Sequence, residues 1–234
     1  MRRYALAIEW SNPSALDDAS RLEAGVALGE LVAGGEPRLV DREAVDSDLM
    51  VSIERLCART GVRAQDLARV AVSIGPGGFT SVRIGVSIAK AICEAGGAAC
   101  VGVPTAQVVA HGAGPLDASF AVALASKRGT AHMTVFAPTG EVVQGGRIVH
   151  ADEIERLGVS YLIGDRHLDP AIRARCDDLA IKVLDARFDA GSLLALSERI
   201  EAVDPASLVP IYPREPEAVT RWRARGSGRS PDQG

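Results

Sequence analysis

Ser73-Ile74-Gly75-Pro76-Gly77-Gly78-Phe79-Thr80-Ser81-Val82-Arg83-Ile84-Gly85 is the stretch from which the rest of this sequence can be read. It follows the apolar, β-rich run Val70-Ala71-Val72 and opens a pattern of helical period that lasts to about Ala95. A strand that ends in Gly-Pro-Gly-Gly and turns into a helix makes a tight corner, because glycine tolerates positive φ and close backbone approach. Thr80 or Ser81 can cap the helix by accepting a bond from an orphan N–H. A helix start of this kind presents N–H donors at the positive end of a dipole, which makes Gly75, Gly77, Gly78 and Thr80 a candidate anion site. The same residues serve equally as a rigid turn that packs strand to helix. The stretch is not a P-loop, since no Gly-Lys-Ser/Thr follows the glycines at the required spacing.

Working outward, the chain of 234 residues has room for one large domain or two small ones, at roughly 100–200 residues each. With 47% hydrophobic, 24% charged and only 4% aromatic residues, its core must be aliphatic and rich in alanine. A net charge of −4 argues against a general nucleic-acid binder, whose affinity comes from Lys and Arg neutralising phosphates. Cys57, Cys93, Cys100 and Cys176 form no C-x-x-C pair, which favours reduced thiols over a disulfide framework or a zinc site. Glu9 interrupts the first apolar run too early for a signal peptide, and no apolar stretch is long enough to span a bilayer. The expectation is a soluble, cytoplasmic protein with no membrane contact.

The first half reads as strands at 3–10, 25–28 and 38–45, a helix at 48–60, a strand at 69–74, the helix at 80–95, a strand at 100–103 and a short helix from Thr105. Asp46 or Ser47 can cap the helix at 48–60, and Gly61 stands where a left-handed residue ends it. The second half repeats the order, with strands at 119–125, 130–137 and 141–149 and a helix at 152–157. A strand at 160–163, a helix near 170–176, a strand at 182–184 and a helix at 189–202 complete it. Three antiparallel strands followed by helix-crossed parallel strands in each half imply an α/β protein with two mixed sheets flanked by helices, in βββαβα order. Glycines and prolines at 111–115 break both patterns, giving units at 1–112 and 113–206. An extended, proline-studded segment and a basic tail follow at 207–234.

The stretch at 73–85 resembles the Gly-Pro-Gly-Ser-Phe-Thr-Gly-x-Arg-Ile-Gly signature of the TsaB (YeaZ) family, bacterial partners in making threonylcarbamoyladenosine on tRNA. Gly78 stands where that family has serine, and Ser81 where it has glycine. The likeness continues through Ala89-Lys90 and Cys100–Thr105, and Pro210–Arg214 is similar to the family's Pro-x-Tyr-x-Arg ending. The resemblance implies two ribonuclease-H-like, or actin-like, halves. Actin-like folds hold ATP with an acidic turn after the first strand, for which the family has Ile-Asp-Thr-Ser/Thr. Here that position reads Ile8-Glu9-Trp10-Ser11, with a longer acid and a bulky ring, so the reading favours an ordinary strand end and no cofactor of the chain's own. ATP or ADP would act in the wider complex. The catalytic relative TsaD holds metal through a helical His-x-x-x-His pair plus an aspartate. His111, His132, His150 and His167 include no such pair, and no Gly-x-Ser-x-Gly elbow exists. No catalytic or metal-ligating residues are therefore assigned.

What remains is a surface. On a helix each residue advances roughly 100°. Val82, Val86, Ala89 and Cys93 then form one apolar stripe, and Ile84, Ile88 and Ile92 lie on a second. Two stripes imply a sandwiched helix. The smaller-volume stripe, Val82, Val86, Ala89 and Cys93, is expected at a subunit interface, and the isoleucines against the chain's own sheet. In the helix at 48–60, Leu49, Met50, Ile53 and Leu56 share a face expected to join that interface. The resemblance implies pairing through these two helices, as a homodimer when alone and as a heterodimer with a TsaD homologue, with the ATPase TsaE and tRNA in the wider complex. The alternative is an independent actin-like enzyme, a small-molecule kinase or a metallopeptidase. Residues 221–229, with four arginines and a tryptophan, read as a solvated tail or as a contact for tRNA phosphates and bases.

Overall fold

The structure, a computed structural model, describes residues 3–16, 23–46, 48–214 and 222. Its first unit contains β1 (Tyr4–Glu9), β2 (Gly25–Glu30), β3 (Arg38–Glu43), α1 (Leu49–Thr60), β4 (Leu67–Ser73), α2 (Phe79–Gly96), β5 (Ala99–Val103) and α3 (Thr105–Gly112). The second contains β6 (Phe120–Ala125), β7 (Ala131–Phe136), β8 (Val142–Val149), a 3₁₀ segment Ala151–Leu157, β9 (Tyr161–Gly164), α4 (Pro170–Asp178), β10 (Lys182–Asp185) and α5 (Ala190–Leu196). Each unit folds into its own five-stranded mixed sheet, in the orders β3-β2-β1-β4-β5 and β10-β9-β6-β7-β8. Read from its own first strand, the second order is the mirror listing of the first, so the repeat of element order is a repeat of topology. The main difference is that a 3₁₀ segment replaces the first helix.

The strand alternation decides which helix covers which face. On β1, β2 and β4 the large residues Leu6, Ile8, Val26, Leu28, Val70 and Val72 point to one side and cluster with residues of α1 and α2. The intervening positions are small: Ala5, Ala7, Ala27 and Ala71 cluster instead with Leu193 and Leu194 of α5. A β-carbon on Gly29 would sit 2.6 Å from a Leu194 methyl, so bare backbone there is what admits the helix. Helices thus cross between the units: α5, from the second, covers the first sheet, while α3, from the first, packs Ala106, Val109 and Ala110 under Phe120, Val122 and Phe136 of the second.

Local expectations are corrected at three places. Asp48, not Asp46, caps α1, accepting from the amides of Met50 at 2.8 Å and Val51 at 3.3 Å, and Ser47 lies outside the described residues. Gly61 ends α1 at φ 70°, as its position requires. Neither Thr80 nor Ser81 caps α2: Gly78 is the N-cap, and the Ser81 hydroxyl donates back to the Gly78 carbonyl at 3.1 Å. Helix α5 stops at Leu196, six residues short of Ala202. The Ser197 hydroxyl bonds the Leu194 carbonyl at 2.6 Å, and Arg69 takes the Ser197 carbonyl at 2.9 Å, removing acceptors from a continuing turn.

Candidate functional site

The turn between β4 and α2 lies at the centre of a latch. Its carbonyls and amides are taken in sequence: the Thr105 amide donates to Gly75 O at 2.9 Å, and the Ile211 amide to Ile74 O at 2.7 Å. The Gly78 amide donates to Ser11 O at 2.8 Å. Gly75, at φ 95° and followed by a cis bond to Pro76, lies in a conformation that side chains resist. Gly77 meets a different demand, since a β-carbon there would lie 2.2 Å from the Ser11 carbonyl oxygen. The glycines are therefore needed for the close approach of the loop after β1. The Gly78 amide, a donor the anion reading relied on, is already spent on Ser11, and Thr80 points to solvent. Of the two readings of Gly75, Gly77, Gly78 and Thr80, these contacts favour the rigid turn.

Glu9 explains the other side of the latch. It is fully buried at the end of β1 and accepts from the Ser11 amide at 3.0 Å, the Ser11 hydroxyl at 2.6 Å and the Ser73 hydroxyl. Burial pushes its carboxyl above the ordinary carboxylate range, opposed by those hydrogen bonds and reinforced by the negative charge of Asp189. Glu9 is thus spent on holding its own loop, and the adjacent Trp10 packs into the clusters of both units.

Beyond Ser11 the loop runs between the two sheets. Asn12 Nδ2 reaches Asp165 Oδ2 at 3.4 Å, and the Ser14 carbonyl accepts from Arg166 and contacts His167 Nε2 at 2.9 Å. Leu16 is buried among Phe120, Phe136 and Phe188. Asp165, at the end of β9, also accepts from the amides of Ala125 and His167, both at 2.8 Å. The loop after β1 is thus tied to the second unit through Asn12, Ser14 and Leu16. Asp17 and Asp18, adjacent acids further along the same stretch of sequence, lie outside the described residues. Among the described residues, no three His, Cys, Asp or Glu side chains come together as metal ligands.

The helical faces require a correction. Val82, Val86, Ala89 and Cys93 are each at most 3% exposed and belong to the chain's own core with Leu49, Ile53 and Leu56. These seven cannot form an external interface in the folded monomer. Of the expected interface residues Met50 alone is open, at 49% exposed, beside Ile84 at 44%, Phe79 at 56% and Val51 at 38%, while Ile88 and Ile92 are half-buried against the core. The physical reason lies on the sheet. The face under α2 is already filled by Ile8 and Val72, and a β-carbon on Gly85 would itself lie 3.7 and 3.5 Å from their methyls. Large strand side chains leave room only for small helical ones.

Sequence reasoning did not place the segment after α5. The Val203 amide pairs with Cys100 O at 2.8 Å, beside the edge strand β5, and Leu208 enters the first core. Lys90 holds the carbonyls of Ala206 and Leu208 at 3.3 and 3.2 Å. Tyr212 then accepts from Arg83 Nε at 2.8 Å and packs 5.5 Å from the Phe79 ring, and Arg214 reaches the turn between β6 and β7. The proline-studded run from Val209 to Arg214 was the available signal, since an extended segment of that composition must find its hydrogen bonds outside itself.

The family model described as TsaD, tRNA N6-adenosine threonylcarbamoyltransferase, matches residues 32–167. The chain belongs to this family. The match begins past β1 and its loop, where Glu9 and Trp10 depart from the expected pattern, and it includes the latch turn. Two solved structures share the fold. One is YeaZ from Pseudomonas aeruginosa, with TM-score 0.66 and 20% identity over 90% of this chain and 99% of that one. The other, described as an uncharacterized protein with similarity to peptidase YEAZ from the same organism, has TM-score 0.65 and 19% identity over 91% and 99%. No curated sequence matches this chain significantly. The α/β fold of two five-stranded mixed sheets flanked by helices is therefore that of YeaZ (TsaB), as the signature at 73–85 led us to expect.

Proposed function

We propose that this chain is a non-catalytic partner subunit, which docks on a TsaD homologue and supports transfer of a threonylcarbamoyl group to adenosine of tRNA beside the anticodon. The observation that carries the reading is the latch. The loop after β1 is held to both units through Ser11, Asn12 and Ser14, and Glu9, the acid at the end of β1, is bound to Ser11 and Ser73. A chain whose acid at the end of the first strand is spent on holding its own loop contributes through its surface. The surface on offer is the outward side of α1 and α2, where Met50, Val51, Phe79 and Ile84 are exposed apolar side chains on one side of the first sheet.

Docking there would bury these four residues in a heterodimer, or in a homodimer when the chain is alone. ATP or ADP acts in the wider complex with the ATPase TsaE, and tRNA is bound by the assembly in the cytoplasm. Among the described residues no helix is long and apolar enough to cross a membrane. The test is a threonylcarbamoyl transfer assay on unmodified tRNA. Activity is expected only when the chain and a TsaD homologue are both present. Turnover by the chain alone, or by the TsaD homologue at full rate without it, would overturn the proposal.

A further inference from the structure

Helix α3 is apolar around most of its circumference. Ala106, Val109 and Ala110 face the second sheet, and Val108 enters the core with Leu193 and Leu194 of α5. Past its first residue, Thr105, the helix carries polar side chains only at Gln107 and His111. Four residues apart, these two are neighbours on one helical stripe. The stripe lines a crevice of about 460 Å³ between α3, the turn joining β7 to β8 and the residues after α5. Half-buried Gln107, His111 and Leu196, with buried Ala110, form its floor, and Pro115, Pro138, Thr139 and Val142 form an exposed rim. Ala110 and Gly114, the other residues of the stripe, are small, which keeps the space beside the polar ends open.

The polar groups of the floor are unspent. His111 Nδ1 is buried with no hydrogen-bond partner, and the Gln107 amide makes no side-chain hydrogen bond among the described residues. Neither side chain holds a cap, a turn or another side chain, and an unpartnered buried nitrogen costs stability in a purely structural role. The backbone around them is closed by contrast. The Ala137 amide donates to Glu141 O and the Gly140 amide to Ala137 O, both at 2.9 Å, and the Gly114 amide donates to His111 O at 3.1 Å. The walls are therefore fixed while the floor groups stay available.

Charge narrows the choice of guest. Arg199, which also lies on the rim, is ion-paired to Glu36, so its charge is already matched. A carboxylate or phosphate would have to break that pair. A purely apolar guest would leave Gln107 and His111 without partners.

We infer that this crevice binds a small, planar, uncharged nitrogen heterocycle that carries a hydrogen-bond donor beside an acceptor, as a ring carboxamide does. The Gln107 amide offers an acceptor and a donor side by side and can pair with such a group at two points. His111 Nδ1 adds a third point on the same stripe. The rings of Pro115 and Pro138 and the exposed Val142 side chain give apolar contact to the faces of the guest. The volume lies within the roughly 300–1,000 Å³ of small-molecule sites, which combine apolar walls with a few convergent polar groups. None of these residues belongs to the outward side of α1 and α2, so the inference stands apart from the partner role.

Nicotinamide and nicotinate share one ring and one size and differ as amide against carboxylate, so together they separate the two chemistries. Each is titrated into the isotope-labelled full chain and followed by amide resonances in a heteronuclear correlation spectrum. Nicotinamide should bind with a Kd of about 1 mM or tighter, the range of a well-seated fragment, and shift the amides of 107–114 and 139–142. Nicotinate should bind about tenfold more weakly or worse. Gln107→Leu and Gln107→Ala break no existing hydrogen bond and should both keep the fold by circular dichroism while weakening nicotinamide about tenfold or more. His111→Leu should weaken it about fivefold. Arg199→Ala should leave it within about twofold, since the guanidinium is held by Glu36. Absence of nicotinamide binding would leave the crevice to water and overturn the inference. Nicotinate binding as tight as nicotinamide, shifts confined to other parts of the chain, or a folded Gln107 variant with the parent's affinity would each overturn it as well.

Discussion

Replacing Gly77 by alanine measures how tightly the loop after β1 is latched to the turn before α2. The added β-carbon would sit 2.2 Å from the Ser11 carbonyl oxygen and 2.9 Å from its carbon, both backbone atoms with no rotamer to yield. Restoring ordinary contact requires the two segments to part by about 1 Å. That separation breaks the 2.8 Å bond from the Gly78 amide to Ser11 O, worth about 1 kcal/mol. It also drags the Ser11 amide and hydroxyl away from the buried Glu9, at a cost of about 1.5–3 kcal/mol. The sum, about 2.5–4 kcal/mol, corresponds to a fall in melting temperature of about 5–15 °C for a chain of this size. Urea and thermal denaturation followed by circular dichroism would measure it. Gly145→Ala, where nothing lies within 4 Å, is the control and should stay within about 0.5 kcal/mol of the parent. Gly77→Ala as stable as that control would refute the latch.

Three further outcomes are expected. Val86→Glu should abolish soluble folded protein, because it places a charge without a partner in the core between α2 and the first sheet, and a native circular-dichroism spectrum would contradict that. Glu9→Gln should flatten the dependence of stability on pH. With its native pKa raised, Glu9 contributes most below the unfolded carboxylate range, and that contribution declines as pH climbs from about 4.5 through the native value. Urea midpoints at about pH 4 and about pH 7 should therefore show the parent losing stability relative to the variant as pH rises, and parallel profiles would count against it. Deleting residues 221–234 should leave the unfolding transition unchanged, since among the described residues the C-terminal segment is already held to the body by Tyr212 and Arg214, and a lowered midpoint would show otherwise.

Much of the fold was legible because its punctuation is chemical. Gly61 past α1, the Gly-Pro-Gly-Gly turn and the breaks at 111–115 mark element ends that few other residues can form. Periodicity then gave the elements between them, and the repeated order gave the two sheets. It did not say which of two apolar stripes on α2 faces inward. Small side chains were read as a sign of helix against helix, yet Val82, Val86, Ala89 and Cys93 are small because Ile8 and Val72 are large and rise from the sheet beneath them. Val72 lies only ten residues before Val82, but Ile8 is more than seventy positions away, and no local window contains both. The departure at Glu9 and Trp10 was visible, and so was its bearing on nucleotide contact. The partners that explain it, Ser73 and the loop's supports at 165–167, meet only once both sheets have formed.

The central claim is that the chain works through the outward side of α1 and α2. Ile84→Glu tests it most directly, because the side chain is 44% exposed and its replacement leaves the core untouched. Isothermal titration of this variant and the parent against a TsaD homologue, with circular dichroism to verify the fold, gives the answer. A folded variant whose affinity is about 30-fold weaker or worse is the expected result, the effect of losing one central interface anchor. A folded Ile84→Glu chain that binds as tightly as the parent would contradict the account.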